Sequence, residues 1–141
     1  MEFEQRFRAY YITTIVSIII SISSFSYNTW RLEVSEKNNT IRTASFEIIK
    51  NLAELEQVVF MLHYDKNSVE GSPRIGWVKI GLITDLSSLT HKGIQTSSLH
   101  LKEVYSDNWE NIKEDINATK HVVDAIEALR KSIQIELTHL Q

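Results

Sequence analysis

Cysteine is absent from the 141 residues, which excludes disulfide stapling, iron–sulfur clusters and thiol catalysis. That absence suits an oxidising compartment as well as a reducing one, so compartment has to be read from topology. Glycine and proline are scarce, at four and one, and no strand-like alternation competes with a helical period. No internal repeat or low-complexity tract occurs in the polar part of the chain. Charge of one sign is not in large excess: the formal net charge is −3, and no basic stripe marks a nucleic-acid surface. Catalytic equipment is missing too, with no nucleophile motif, no glycine-rich phosphate loop and no His-Glu-x-x-His zinc signature.

Against these absences stands one long uncharged run, the 22 residues from Ala9 to Trp30. Tyr10 and Tyr11 lie at its start, Tyr27 and Trp30 at its end. At about 1.5 Å per residue the interval from Tyr10 to Trp30 covers roughly 30 Å, the thickness of a bilayer's hydrocarbon core. Aromatic residues at both ends match the belts found at membrane interfaces. The expectation is a tail over 1–8 and a transmembrane helix over 9–30, with those four aromatics at the interfaces.

Orientation is less marked. Arg6, Arg8 and the terminal amine precede the run, and Arg31, Lys37 and Arg42 follow it, so the positive-inside count is nearly balanced. A single apolar segment behind a short tail acts most often as an uncleaved signal anchor. That places the N-terminus in the cytoplasm and the remainder outside. The competing reading is a cleaved signal peptide, for which Ser24-Phe25-Ser26 offers small residues at the two positions a signal peptidase reads. The run is longer than a usual signal-peptide core and continues to Trp30.

Inside the run Thr14, Ser17, Ser21, Ser24 and Asn28 recur at steps of three and four, which puts small and polar side chains on one stripe of the helix. Such a stripe is suited to packing against a partner helix, because small residues let backbones approach and hydroxyls bond across the pair. The alternative is that each hydroxyl bonds back to a carbonyl of its own helix.

Beyond the run the periodicity stays helical. Val34, Asn38, Ile41, Ser45, Ile48, Leu52, Leu55, Val59 and Leu62 alternate steps of four and three, a heptad seam that is apolar mainly from Ile41 onward. It predicts a long helix ending near Tyr64 and a loop over Asp65 to Ser72. Ser72-Pro73 reads as an N-cap followed by proline at the first helical position. The helix it opens is expected to bury Ile75, Val78, Leu82, Leu86 and Leu89. A turn over His91 to Thr96 then leads to a helix capped by Ser97 or Ser98 and running through Ile112. A break near Glu114 to Asn117 precedes a last helix that reaches the end of the chain. Gly76 and Gly81 interrupt an apolar stripe, the mark of a close helix crossing.

The fold class is therefore all-α: an N-terminal single transmembrane helix, a solvated stalk over 31–40, and an antiparallel four-helix bundle over 41–141. The expected bundle is one domain's worth of chain, enough for a single modest core.

The candidate sites are few. Five histidines are scattered, and only Glu136 to His139 has the Glu-x-x-His spacing of carboxylate-bridged di-iron bundles, where two such motifs and two more glutamates are required. No metal, cofactor or catalytic residue is expected. His121 and Asp124, one turn apart, read as a surface contact. Tyr64, Asp65, Arg74 and Trp77 gather aromatic and charged side chains around the loop, a mix enriched at protein contacts, and form a candidate docking tip. The alternative is that Trp77 and Tyr64 close the end of the bundle while Asp65 and Arg74 pair over the loop.

Three functions follow from this inventory. The first is a membrane-anchored accessory or scaffold subunit that acts by protein–protein contact, through its membrane helix and bundle tip. A homo-oligomer is compatible with it. The second is an extracytoplasmic ligand sensor: the outline is similar to the four-helix ectodomains of bacterial chemoreceptors and sensor kinases, in architecture and without a shared motif. Such a sensor would signal through a separate partner. The third, a helical metalloenzyme, is disfavoured by the lone Glu-x-x-His.

Overall fold

The computed structural model describes residues 2–140 and contains four helices: α1 (Glu2–His63), α2 (Pro73–Ser87), α3 (Lys92–Asn108) and α4 (Ile116–His139). No strand occurs among the described residues. The chain divides into two units, Met1–Lys37 and Asn38–Gln141. Met1 and Gln141, the outer ends of the expected tail and bundle, lie outside the described residues.

The first unit is helical from Glu2, and its side chains from Phe3 to Lys37 are all exposed. The tail and the stalk are thus part of α1 along with the apolar run, because nothing between Glu2 and His63 interrupts it: the stretch holds neither glycine nor proline. Over an 18-residue window α1 is long and apolar enough to cross a membrane.

In the second unit the seam of α1 buries its side chains as the heptad spacing requires. Ile41, Ser45, Ile48, Leu52, Leu55, Val59 and Leu62 are all buried, whereas Val34, upstream of the unit, is exposed. From Ile48 to Leu62 the apolar members share a core with Ile80 and Ile83 of α2, Leu101 and Tyr105 of α3, and Ile126, Leu129 and Ile133 of α4. Ile112, which the sequence places on a helix, is buried in the turn between α3 and α4 instead. Leu86, Val104, Trp109, Val123 and Leu137 are partly buried against this core.

Polar ties join the elements at the rim. Glu54 on α1 pairs with Lys79 on α2, and Arg130 on α4 bridges Glu56 at 2.8 Å and Glu127. His63 Nδ1 donates to the Ile112 carbonyl at 2.7 Å, Arg42 donates to the Leu140 carbonyl at 3.1 Å, and His91 meets Glu136 at 2.7 Å. A hydroxyl pair, Ser87 with Ser98 at 2.7 Å, is fully enclosed between α2 and α3. Ser45, also enclosed, has no hydrogen-bond partner for its hydroxyl among the described residues.

Three expectations are corrected. The stripe that α2 buries is Gly76, Ile80, Ile83 and Ser87, while Ile75, Val78, Leu82 and Leu89 face outward. The buried set is spaced at four and three, and Ile75, Val78 and Leu82 repeat at three and four on the other side, with Leu89 in the turn after Ser87, so α2 carries two regular stripes. The small side chains turn inward because Tyr105 and Ser98 occupy the space beside Gly76 and Ser87. Second, α3 starts at Lys92 with His91 at the cap position, so Gly93 lies in its first turn and Ser97 and Ser98 lie inside the helix. Third, α3 ends at Asn108, short of Ile112. The tight turn after it leads to Asp115, whose carboxylate accepts from the Asn117 amide at 2.8 Å and caps α4.

Candidate functional site

The loop Tyr64–Ser72 is held by its own polar groups. Asn67 Oδ1 accepts from the amides of Val69 and Glu70, an Asx-type turn, and Asn67 Nδ2 donates to Glu70 at 2.9 Å. Lys66, in the left-handed region at φ 51°, sends its ammonium to the Lys113 carbonyl and lies 3.9 Å from Glu114. The loop therefore rests on the turn between α3 and α4.

Among the described residues no hydrogen bond, ion pair or ring contact joins any two of the four tip residues. Tyr64 is exposed and packs edge-on with His63, ring centres 4.7 Å apart, and at a tilt against Phe60 at 5.7 Å. Arg74 and Asp65 are exposed, and no ion pair joins them among the described residues. Trp77 is half-buried, packed edge-on against Tyr105 with ring centres 5.2 Å apart. Trp77 thus serves the contact of α2 with α3, and Tyr64 and Arg74 are left as surface residues of the loop and its flank.

In the first unit Thr14 donates to the Tyr10 carbonyl and Ser21 to the Ser17 carbonyl, each at 2.8 Å. Thr13 and Thr29, off the stripe, bond back in the same way to Ala9 and Phe25. Back-bonding satisfies the hydroxyl proton in an apolar medium and leaves the oxygen's lone pairs to accept from a neighbour. Ser17, Ser24 and Asn28 lie exposed along the same stripe. Tyr10, Tyr11, Tyr27 and Trp30 are all exposed, and Tyr27 and Trp30 pack their rings 6.1 Å apart.

Among the described residues no three His, Asp or Glu side chains are placed to hold a metal ion. Glu136 of the Glu-x-x-His spacing is engaged with His91. His121 Nδ1 lies 3.4 Å from Asn108 Oδ1, in a groove shared with His100 and Asp124. The Lys79 ammonium beside Glu54 holds that carboxyl below the usual carboxylate range. Burial pushes the Tyr105 hydroxyl up to about 12, and the hydrogen bond to Glu56 raises Arg130 further above its ordinary value.

The surface that the sequence did not foresee is the outward stripe of α2. Ile75 is 38% exposed, Val78 64%, Leu82 42% and Leu89 53%. Single exposed aliphatics are ordinary, but Ile75, Val78 and Leu82 recur at helical spacing along α2 and Leu89 follows in the next turn, which makes an exposed apolar stripe. The signal for it was present as the second regular stripe of α2, Gly76-Ile80-Ile83-Ser87, which leaves the first without a place in the core.

Comparison with protein-family models, with curated proteins and with solved structures finds no match for the chain. What stands is a class: an all-helical protein with one helix long and apolar enough to cross a membrane.

Proposed function

We propose that the chain is a single-pass membrane protein, N-terminus in the cytoplasm, whose body outside the membrane is an antiparallel four-helix bundle acting by protein–protein contact as an accessory or scaffold subunit. The observation that carries the membrane reading is the run Ile12–Phe25. Its large apolar side chains, among them Ile12, Ile18, Ile19, Ile20, Ile22 and Phe25, are exposed over more than half of the helix circumference, and the hydroxyl stripe that covers the rest carries no charge. A helix with so broad an exposed apolar surface and no charged side is stabilised where that surface leaves water. The antiparallel bundle is supported by Glu54–Lys79 and by the grooves that place Ile75 beside Val58 and Met61, and Leu86 and Leu89 beside Thr43 and Glu47. Later residues of α2 thus lie beside earlier residues of α1. A contact role is supported by Tyr64, Arg74 and the outward stripe of α2, which are surface groups of the kind enriched at interfaces.

The test is alkaline carbonate extraction of membranes, with intact mass of the recovered chain, followed by purification in mild detergent. The reading expects an uncleaved chain in the pellet and a different protein co-purifying in stoichiometric amount. A soluble chain trimmed near residue 26 overturns the anchor, and a purified chain with no foreign partner overturns the accessory role.

A further inference from the structure

The outward stripe of α2 has a complement on the same molecule. Along the outer side of α1, Phe46, Lys50, Ala53, Gln57 and Phe60 alternate steps of four and three and are all exposed, Phe46 at 58%. The α2 stripe is Ile75, Val78, Leu82 and Asp85, continued by Leu89 in the turn after Ser87, and all five are exposed. Each stripe has a single charged member, Lys50 in one and Asp85 in the other. Neither is in an ion pair within the chain among the described residues.

Lys50 and Asp85 also stand at the same height. The Glu54–Lys79 pair sets the register of α2 against α1. Six residues beyond Lys79 along α2 is Asp85, and six residues back from Glu54 along α1 is Ile48, within about half a turn of Lys50. Leu89 falls in the same way near Phe46, and Val78 near Ala53 and Gln57.

We propose that the face made by α1 and α2 is the contact between two copies of this chain, with α2 of each lying along α1 of the other and Asp85 meeting Lys50 of the second copy. This inference rests on the membrane reading in one respect: two copies inserted the same way into one bilayer are related by an axis along the membrane normal. Where that axis runs along α1 and α2, positions along the helices are unchanged, so Asp85 of each copy faces Lys50 of the other, two pairs in all. The alternative of stacking α2 on α2 about the same axis sets Asp85 against Asp85 and Arg74 against Arg74, a like-charge arrangement that opposes association. Area points the same way. A stable interface takes about 800 Å² from each partner, more than the four exposed aliphatics of α2 supply alone, so both helices of the face are needed.

The chain's lack of cysteine makes the test direct. In detergent-solubilised full-length protein, Lys50→Asp alone and Asp85→Lys alone are each expected to weaken the dimer roughly tenfold, read by analytical ultracentrifugation. The double exchange, Lys50→Asp with Asp85→Lys, is expected to restore it. A mixture of Lys50→Cys chains with Asp85→Cys chains should form a disulfide-linked dimer under mild oxidation, and neither variant should do so by itself. Circular dichroism melts of each variant confirm that the fold is kept. A wild-type chain that stays monomeric, crosslinking by Asp85→Cys alone, or single reversals without effect each overturn the proposal. Carbonate extraction reports the anchor independently, so a failure of the membrane reading and a failure of the dimer are told apart.

Discussion

Tyr105 shows how a single side chain sets the face that a helix turns inward. Its ring is buried, its hydroxyl donates to the Pro73 carbonyl at 3.2 Å, and a Cβ built on Gly76 would lie 1.9 Å from that hydroxyl. Gly76→Ala is therefore expected to destabilise the chain by about 1–3 kcal/mol through overpacking, measured by denaturant unfolding. At Gly81 a Cβ meets nothing within 4 Å. Gly81→Ala should stabilise by roughly 0.4–1 kcal/mol, the entropy the unfolded chain loses. The close crossing expected of both glycines holds at Gly76 and not at Gly81. At Glu54 the lowered carboxyl implies a sign. The unfolded chain binds the proton at higher pH than the folded one, so the contribution is present above the ordinary value of 4.5 and is lost as pH falls through the folded value. Lys79→Met should move the Glu54 titration back up toward 4.5, read by NMR of the side-chain carboxyl.

Helix ends differ in what secures them. Asp115 caps α4 with a side-chain bond to Asn117, whereas Ser72 stands at the cap position of α2 with no side-chain cap bond, and Pro73 follows it. Asp115→Ala is expected to cost about 0.5–2 kcal/mol. Ser72→Ala should stay within about 0.5 kcal/mol, and thermal melts of the two variants side by side separate them. The Ser72-Pro73 start was legible because proline lacks the amide that a first turn leaves unpaired anyway. The start of α3 was not, since His91 is an uncommon cap residue and two serines further on offered a better one by composition. Those serines went elsewhere: Ser98 is buried against Ser87.

For the molecule as a whole, orientation in the membrane is the consequential prediction. A single cysteine at Lys131, an exposed position of α4, should react with a membrane-impermeant maleimide on intact cells if the body is exported. One at Glu4 should react only after lysis. The opposite pattern would place the body in the cytoplasm. What the sequence by itself determined here is the uncharged run with its aromatic ends, the all-helical period and the seam of α1 from Ile41 to Leu62. Each depends on one segment's own residues: length, absence of charge, and spacing against a 3.6-residue turn. What only the tertiary structure decided is which of two regular stripes α2 buries, where α3 begins, and the half-burial of Trp77 against Tyr105. These depend on volumes supplied by other helices. A glycine and a serine turn inward because Tyr105 and Ser98 fill the space beside them, and a side chain's own periodicity carries no record of its neighbour's size.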